Sequence, residues 1–73
     1  MEWVRCSERL PGSGFDVRVT VERDSVRSVL PRHVWWDGRW LYSNNSLPVD
    51  SVLRVIAWTV AWGFWPKPYD GEA

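Results

Sequence analysis

Cysteine is nearly missing from this sequence: Cys6 stands alone, so no disulfide can form within the chain. Histidine is as scarce, and a zinc site built from Cys6 and His33 would need carboxylates or a second chain to complete its ligands. No metal and no cofactor is expected. Neither sign of charge is in excess, because nine basic and nine acidic side chains give a formal net charge of zero and are scattered along the chain. The basic arm or acidic tail that would steer a protein toward or away from phosphate is absent. Long apolar runs are missing too. The most apolar stretch, Val52 to Trp65, is interrupted by Arg54 and is too short to span a bilayer. The opening Met-Glu-Trp lacks the charged and apolar regions of a signal peptide. The expectation is a cytoplasmic protein without membrane contact, its thiol reduced.

Tryptophan is what the chain has in quantity, with seven residues beside two phenylalanines and two tyrosines. A chain of 73 residues forms one small domain, and a body of this size buries only about 60% of the surface its unfolded chain exposes. Each indole adds a large rigid area to the core. Not all of them fit inside, so some are expected to form an exposed patch or a subunit contact.

The stretch from Val34 to Tyr42 sets two aromatic runs around Asp37-Gly38, the strongest short-range signal for a two-residue hairpin. In that register Trp36 faces Arg39 across the turn and Trp35 faces Trp40. Before it, Phe15, Val17, Val19 and Val21 alternate with Asp16, Arg18, Thr20 and Glu22, the period of a half-buried strand. Arg23-Asp24-Ser25 reads as a turn. Val26 to Leu30 begins a return strand whose alternation slips at Val29-Leu30, where a bulge would reconcile it, and Pro31 breaks that strand from the segment 32–36. Ser7 to Leu10, ahead of Pro11, reads as one helical turn with Leu10 tucked inward. Residues 52–62 suit either a helix, through Val52, Ile56 and Val60, or a strand, through their β-branched and aromatic content. The fold class expected is all-β: a small twisted antiparallel sheet of three to five strands in meander order, with one short helical turn near the N-terminus. Residues 64–73, with Pro66 and Pro68, form a tail after the domain's regular structure.

Chemistry finds little support in the residue types. His33 has no serine or cysteine tied to it by spacing, which argues against nucleophilic catalysis and against an enzyme. Asp16 and Glu22 share a strand face with Arg18 between them, the pattern of a solvated, charge-balanced surface. Gly12-Ser13-Gly14 lacks the lysine of a phosphate loop and reads as a turn. Arginines interleaved with indoles offer an alternative, binding of single-stranded nucleic acid or a nucleotide on a Trp/Arg sheet surface. The neutral charge balance makes nucleic acid the weaker reading, since affinity for phosphate grows with the charges neutralised. Protein binding through surplus aromatic surface is the stronger one, because tryptophan and arginine anchor desolvated interfaces. The residues expected to carry it are Trp62, Phe64, Trp65 and Tyr69 in the tail, with Trp36 and Arg39 at the hairpin. The competing reading makes the tail a lid over one open end of the sheet.

Trp3-Val4, Ser7-Glu8-Arg9-Leu10-Pro11, the strand Val17 to Val21, Trp36-Asp37-Gly38 with Trp40, and Ile56-Ala57-Trp58 follow one another in an order that covers nearly the whole chain. In this the chain resembles the small domain of unknown function numbered 551, found in many tailed bacteriophages and prophages. That family opens similarly on a Trp-Ile/Val start and a Ser-x-Arg-Leu-Pro block. The resemblance implies phage or prophage origin, a small β domain and no catalytic residues. It implies a viral accessory protein of the bacterial host cytoplasm that acts by host-virus interaction, its partner a host protein or a second copy, and inhibition of a host or defence protein as one such role.

Overall fold

A computed structural model of the chain describes residues 3–60 and 66–73. Among the described residues six strands make up the regular structure: β1 (Val4–Arg5), β2 (Val17–Arg23), β3 (Val26–Val29), β4 (Val34–Trp36), β5 (Trp40–Tyr42) and β6 (Arg54–Val60). All pairings are antiparallel and join one sheet in the order β1-β6-β2-β4-β5, with β3 beside β4 on the same edge of β2. From β2 to β5 the chain runs as the expected meander. β6 then returns to the other edge of β2, the spatial arrangement of a Greek key, and β1 pairs with its far side.

The expected helical turn at Ser7 to Leu10 is not formed, and the described residues contain no helix. Arg5 ends β1, and its carbonyl accepts the N–H groups of both Glu8 (3.0 Å) and Arg9 (3.3 Å), which makes a tight turn. Pro11 lies too close for further helical bonds to follow, and a single turn without propagation is unfavourable. Leu10, expected inside, is 43% exposed, and Pro11 takes the buried position. The strand count rises to six because Pro31 divides the return strand into β3 and β4, and because the short edge strand β1 is paired. Over 54–60 the open choice between strand and helix falls to strand, while Ala61 and Trp62 lie outside the described residues.

Core formation follows the β-branched alternation of β2. Val17, Val19 and Val21 are at most 2% exposed and pack with Leu30 and Val34, with Trp40, Tyr42, Val49, Leu53, Val55 and Trp58 around them. Phe15, in phase with those valines, is 64% exposed and lies two residues before β2 begins. The opposite face is not the solvated surface its charges suggested. Thr20 is fully buried and Arg18 is 8% exposed, while Glu22 lies between Arg27 (3.0 Å) and Arg54 (3.9 Å). The C-terminal segment 66–73 covers part of this face. The Tyr69 N–H donates to Thr20 Oγ1 at 3.0 Å, and Arg27 Nη1 donates to the carbonyls of Tyr69 (3.1 Å) and Gly71 (2.6 Å). Burial on both faces also explains Val29-Leu30. The two side chains alternate normally, one to each covered face, and β2 pairs with β3 without a register shift.

The bulge lies instead in β6. Thr20 pairs with Ala57 and Val21 with Val55, so Ile56 is extra, and Val55 and Trp58 reach the same face. The two hairpin turns also differ from expectation. Trp36 pairs with Trp40 and Trp35 with Leu41, which leaves Asp37, Gly38 and Arg39 as a three-residue loop in which Gly38 has φ 73°. Packing Trp36 edge-on against Trp40, centroids 4.9 Å apart and planes at 62°, favours that register over the one Asp-Gly signals. The two-residue turn occurs between β2 and β3, where Arg23 pairs with Val26 and both Asp24 (φ 51°) and Ser25 (φ 65°) are left-handed.

Replacing Val19 by Ala is expected to lower stability by about 1–3 kcal/mol in denaturant melts, through lost transfer energy and a residual cavity. Ser25→Gly is expected to raise it by roughly 0.5–1 kcal/mol. Relief of left-handed strain exceeds the added backbone entropy of the unfolded chain, and the same melts read the gain.

Candidate functional site

At the end of the sheet where β2 begins, the last rungs among the described residues are Val17 with Val60 and Val17 with Val34. Beyond them the chain from Arg9 to Asp16 crosses the valine face and leaves a groove of about 240 Å³ lined by Pro11, Gly12, Phe15, Asp16, Val17, Trp58 and Val60. Trp58 forms part of its wall, its Nε1–H donating to the Arg9 carbonyl at 2.9 Å and the Arg9 guanidinium carbon 6.0 Å from its ring centre. Gly12 allows the Phe15 ring to approach, because a Cβ there would lie 3.1 Å from Phe15 Cε2. Phe15 and Val60, at 64% and 55% exposed, are the open apolar rims of this groove.

On the other side of Asp16 lies a polar cavity of about 280 Å³, lined by Arg32, His33, Ser43 and Asn44. Ser43 Oγ donates to Asp16 Oδ1 at 2.8 Å, which joins the two concavities at one carboxylate. Arg18 Nη2 meets His33 Nε2 at 3.0 Å, and since arginine only donates, Nε2 accepts and the ring proton sits on Nδ1. A serine relay would need His33 Nε2 on Ser43 Oγ. Here the serine bonds to the aspartate and the histidine to the arginine. Among the described residues no group of His, Cys, Asp and Glu could hold a metal ion.

The residues singled out by sequence fall in three places. Trp36 is half-buried against Trp40, and its carbonyl accepts from Ser13 Oγ at 3.2 Å, while Arg39 is exposed at the hairpin tip. Tyr69 is half-buried, its ring centre 5.6 Å from the Arg27 guanidinium carbon, so this part of the tail packs on the face of the sheet that bears Thr20. Trp62, Phe64 and Trp65 lie outside the described residues. The hairpin and Tyr69 are therefore not one patch. Sequence reasoning missed Phe15 with Val60 as an exposed pair and Arg32 with Asn44 as a polar one. The signal for the first is the position of Phe15 just after Gly14 (φ 86°), outside any strand.

Cys6 is half-buried beside β6, where its N–H donates to the Ile56 carbonyl at 3.0 Å. Burial pushes its thiol up to about 11 from an ordinary 9.0. A group raised in the folded state stabilises fully below its unfolded value and loses that contribution as pH rises through the folded one. Melts are therefore expected to show stability declining between about pH 9 and 11, a slope flattened in Cys6→Ala. Alkylation of folded Cys6 near neutral pH should be far slower than that of a free thiol.

Comparison with known proteins yields no match: no protein-family model, no curated protein and no solved structure matches the chain. Among the described residues no helix is long and apolar enough to cross a membrane.

Proposed function

We propose that this chain is a non-catalytic binding module that recognises another protein through the end of the sheet bearing Phe15 and Val60. The observation that carries the reading is the groove itself: a concave apolar lining of Pro11, Val17 and Trp58 with two apolar rims left in water. Burying exposed apolar surface is the general driving force for association, and a packed indole beside such a groove is a common anchor of binding energy. Trp62, Phe64 and Trp65, which follow Val60 in sequence, lie outside the described residues and remain part of the proposal as sequence candidates only. Trp36 and Arg39 at the hairpin tip are the second contact region. A phage accessory role in the host cytoplasm, with a host protein as the partner, rests on the order of sequence blocks alone, since no family model matches the chain.

The alternative, nucleic-acid binding on a Trp/Arg surface, has less support from the geometry. Arg32 already lies 3.9 Å from the centre of the Tyr42 ring, so that aromatic face is occupied by the chain's own cation.

Phe15→Asp and Val60→Asp test the proposal, since both side chains are exposed and each substitution should change stability by less than about 1 kcal/mol. The expected outcome is loss of a partner recovered with the wild-type protein from host lysate, or of dimer in sedimentation, with melts unchanged. Full retention of partner and oligomeric state by both variants would refute this surface. A salt-sensitive gel shift with single-stranded oligonucleotides would put the alternative first.

A further inference from the structure

We infer that the polar cavity between the β3–β4 break and the end of β5 is a carboxylate-binding site, with Arg32 as its fork. That the carboxylate belongs to an acidic side chain of a protein partner rests on the proposed binding function; binding of a small carboxylate does not. The Arg32 guanidinium is held in two ways, by the face of Tyr42 at 3.9 Å and by donation from Nη2 to Asn44 Oδ1 at 2.5 Å. A guanidinium has five N–H donors, so fixing one on Asn44 leaves others to point outward from a plane already set by the ring. This is the requirement for parallel, bidentate hydrogen bonds to an oxyanion, in which pre-organisation limits the entropy lost on binding.

The surroundings select among oxyanions. Arg18 places a second positive charge behind His33, while Asp16 brings a carboxylate to the opposite wall through Ser43. Ser43 spends its proton on Asp16 and has none to offer a ligand in this arrangement. The Asp16 carboxylate opposes a phosphate dianion more strongly than a monoanion. A planar carboxylate also matches the guanidinium plane. A cavity of about 280 Å³ admits an acidic side chain. Because Asp16 also lines the apolar groove, a partner segment carrying an apolar residue near an acidic one would reach both concavities across this one residue.

The test is a titration of the isotope-labelled full chain with sodium acetate at constant ionic strength, followed by amide and arginine side-chain resonances, with sodium chloride and inorganic phosphate run in parallel. Acetate is expected to give saturable shifts at Arg32, His33, Ser43 and Asn44 that fall at least fivefold in Arg32→Gln, while chloride gives none. Asn44→Ala, which frees the guanidinium but keeps its charge, should weaken acetate severalfold. Absence of saturable acetate shifts, or equal shifts in Arg32→Gln, would overturn the site. Phosphate binding more tightly than acetate would overturn the carboxylate assignment. Phe15→Asp separates this inference from the function on which it draws: it should keep the acetate shifts and lose the partner.

Discussion

Pairing of β2 on both of its edges is the interaction on which the rest of the molecule depends. From Val17 to Val21 the strand is buried on both faces, so its backbone groups have no water to fall back on and must be paired by neighbours. β6 satisfies one edge along its length and carries β1 on its far side, while β3 and β4 divide the other edge between them. Even the segment 66–73 is referred to this strand, since Thr20 supplies the hydroxyl that accepts the Tyr69 N–H. No disulfide within the chain shares the task, and the core is narrow: a row of valines on one strand, closed by Leu30 and Val34 and walled by indoles.

Both concavities arise where this regularity stops. The Pro31 break lets the chain leave β2 after Leu30 and rejoin it at Val34, and the residues between, Arg32 and His33, turn their side chains to the end of the sheet instead of into a ladder. On the other face, Gly12 and Gly14 bring the chain to β2 without covering its first rung, which leaves Phe15 and Trp58 around open space. Asp16, one residue before β2, is shared by the two because a strand's first side chains are neither fully inside nor outside. Irregular segments placed at the end of a rigid sheet combine freedom to vary with a fixed position, which suits recognition.

Much of the sheet was legible because β2 alternates, Pro31 cannot donate and β6 is rich in β-branched residues. What escaped depended on partners distant in sequence. The Asp37-Gly38 signal is local and asks for two residues, yet contact between Trp36 and Trp40 selects three. Asp24-Ser25, a weaker signal, makes the tighter turn because β2 and β3 are in register up to it. Arg18 and Thr20 looked solvent-facing because period-two reasoning assumes one wet face, and a proline-containing tail without periodicity does not say which face it meets, here that of Thr20. Strict alternation in β6 breaks at Ile56, where one unpaired residue moves every later side chain to the other face. The candidate site fared less well than the sheet, since pairs such as Phe15 with Val60 or Arg32 with Tyr42 are made by topology alone.

The return of β6 to the open edge of β2 has a consequence for how the protein is made. The meander from β2 to β5 emerges from the ribosome with that edge unpaired, and its valines remain half-sheltered until β6 has been synthesised. Distant partners of this kind slow folding, because loop closure precedes any stabilising contact. Meanwhile an uncovered edge rich in valine is a template for strands of other chains. Arg18 and Arg23, set among the valines of β2, are then charges within an aggregation-prone run, guarding the nascent chain as well as the finished fold.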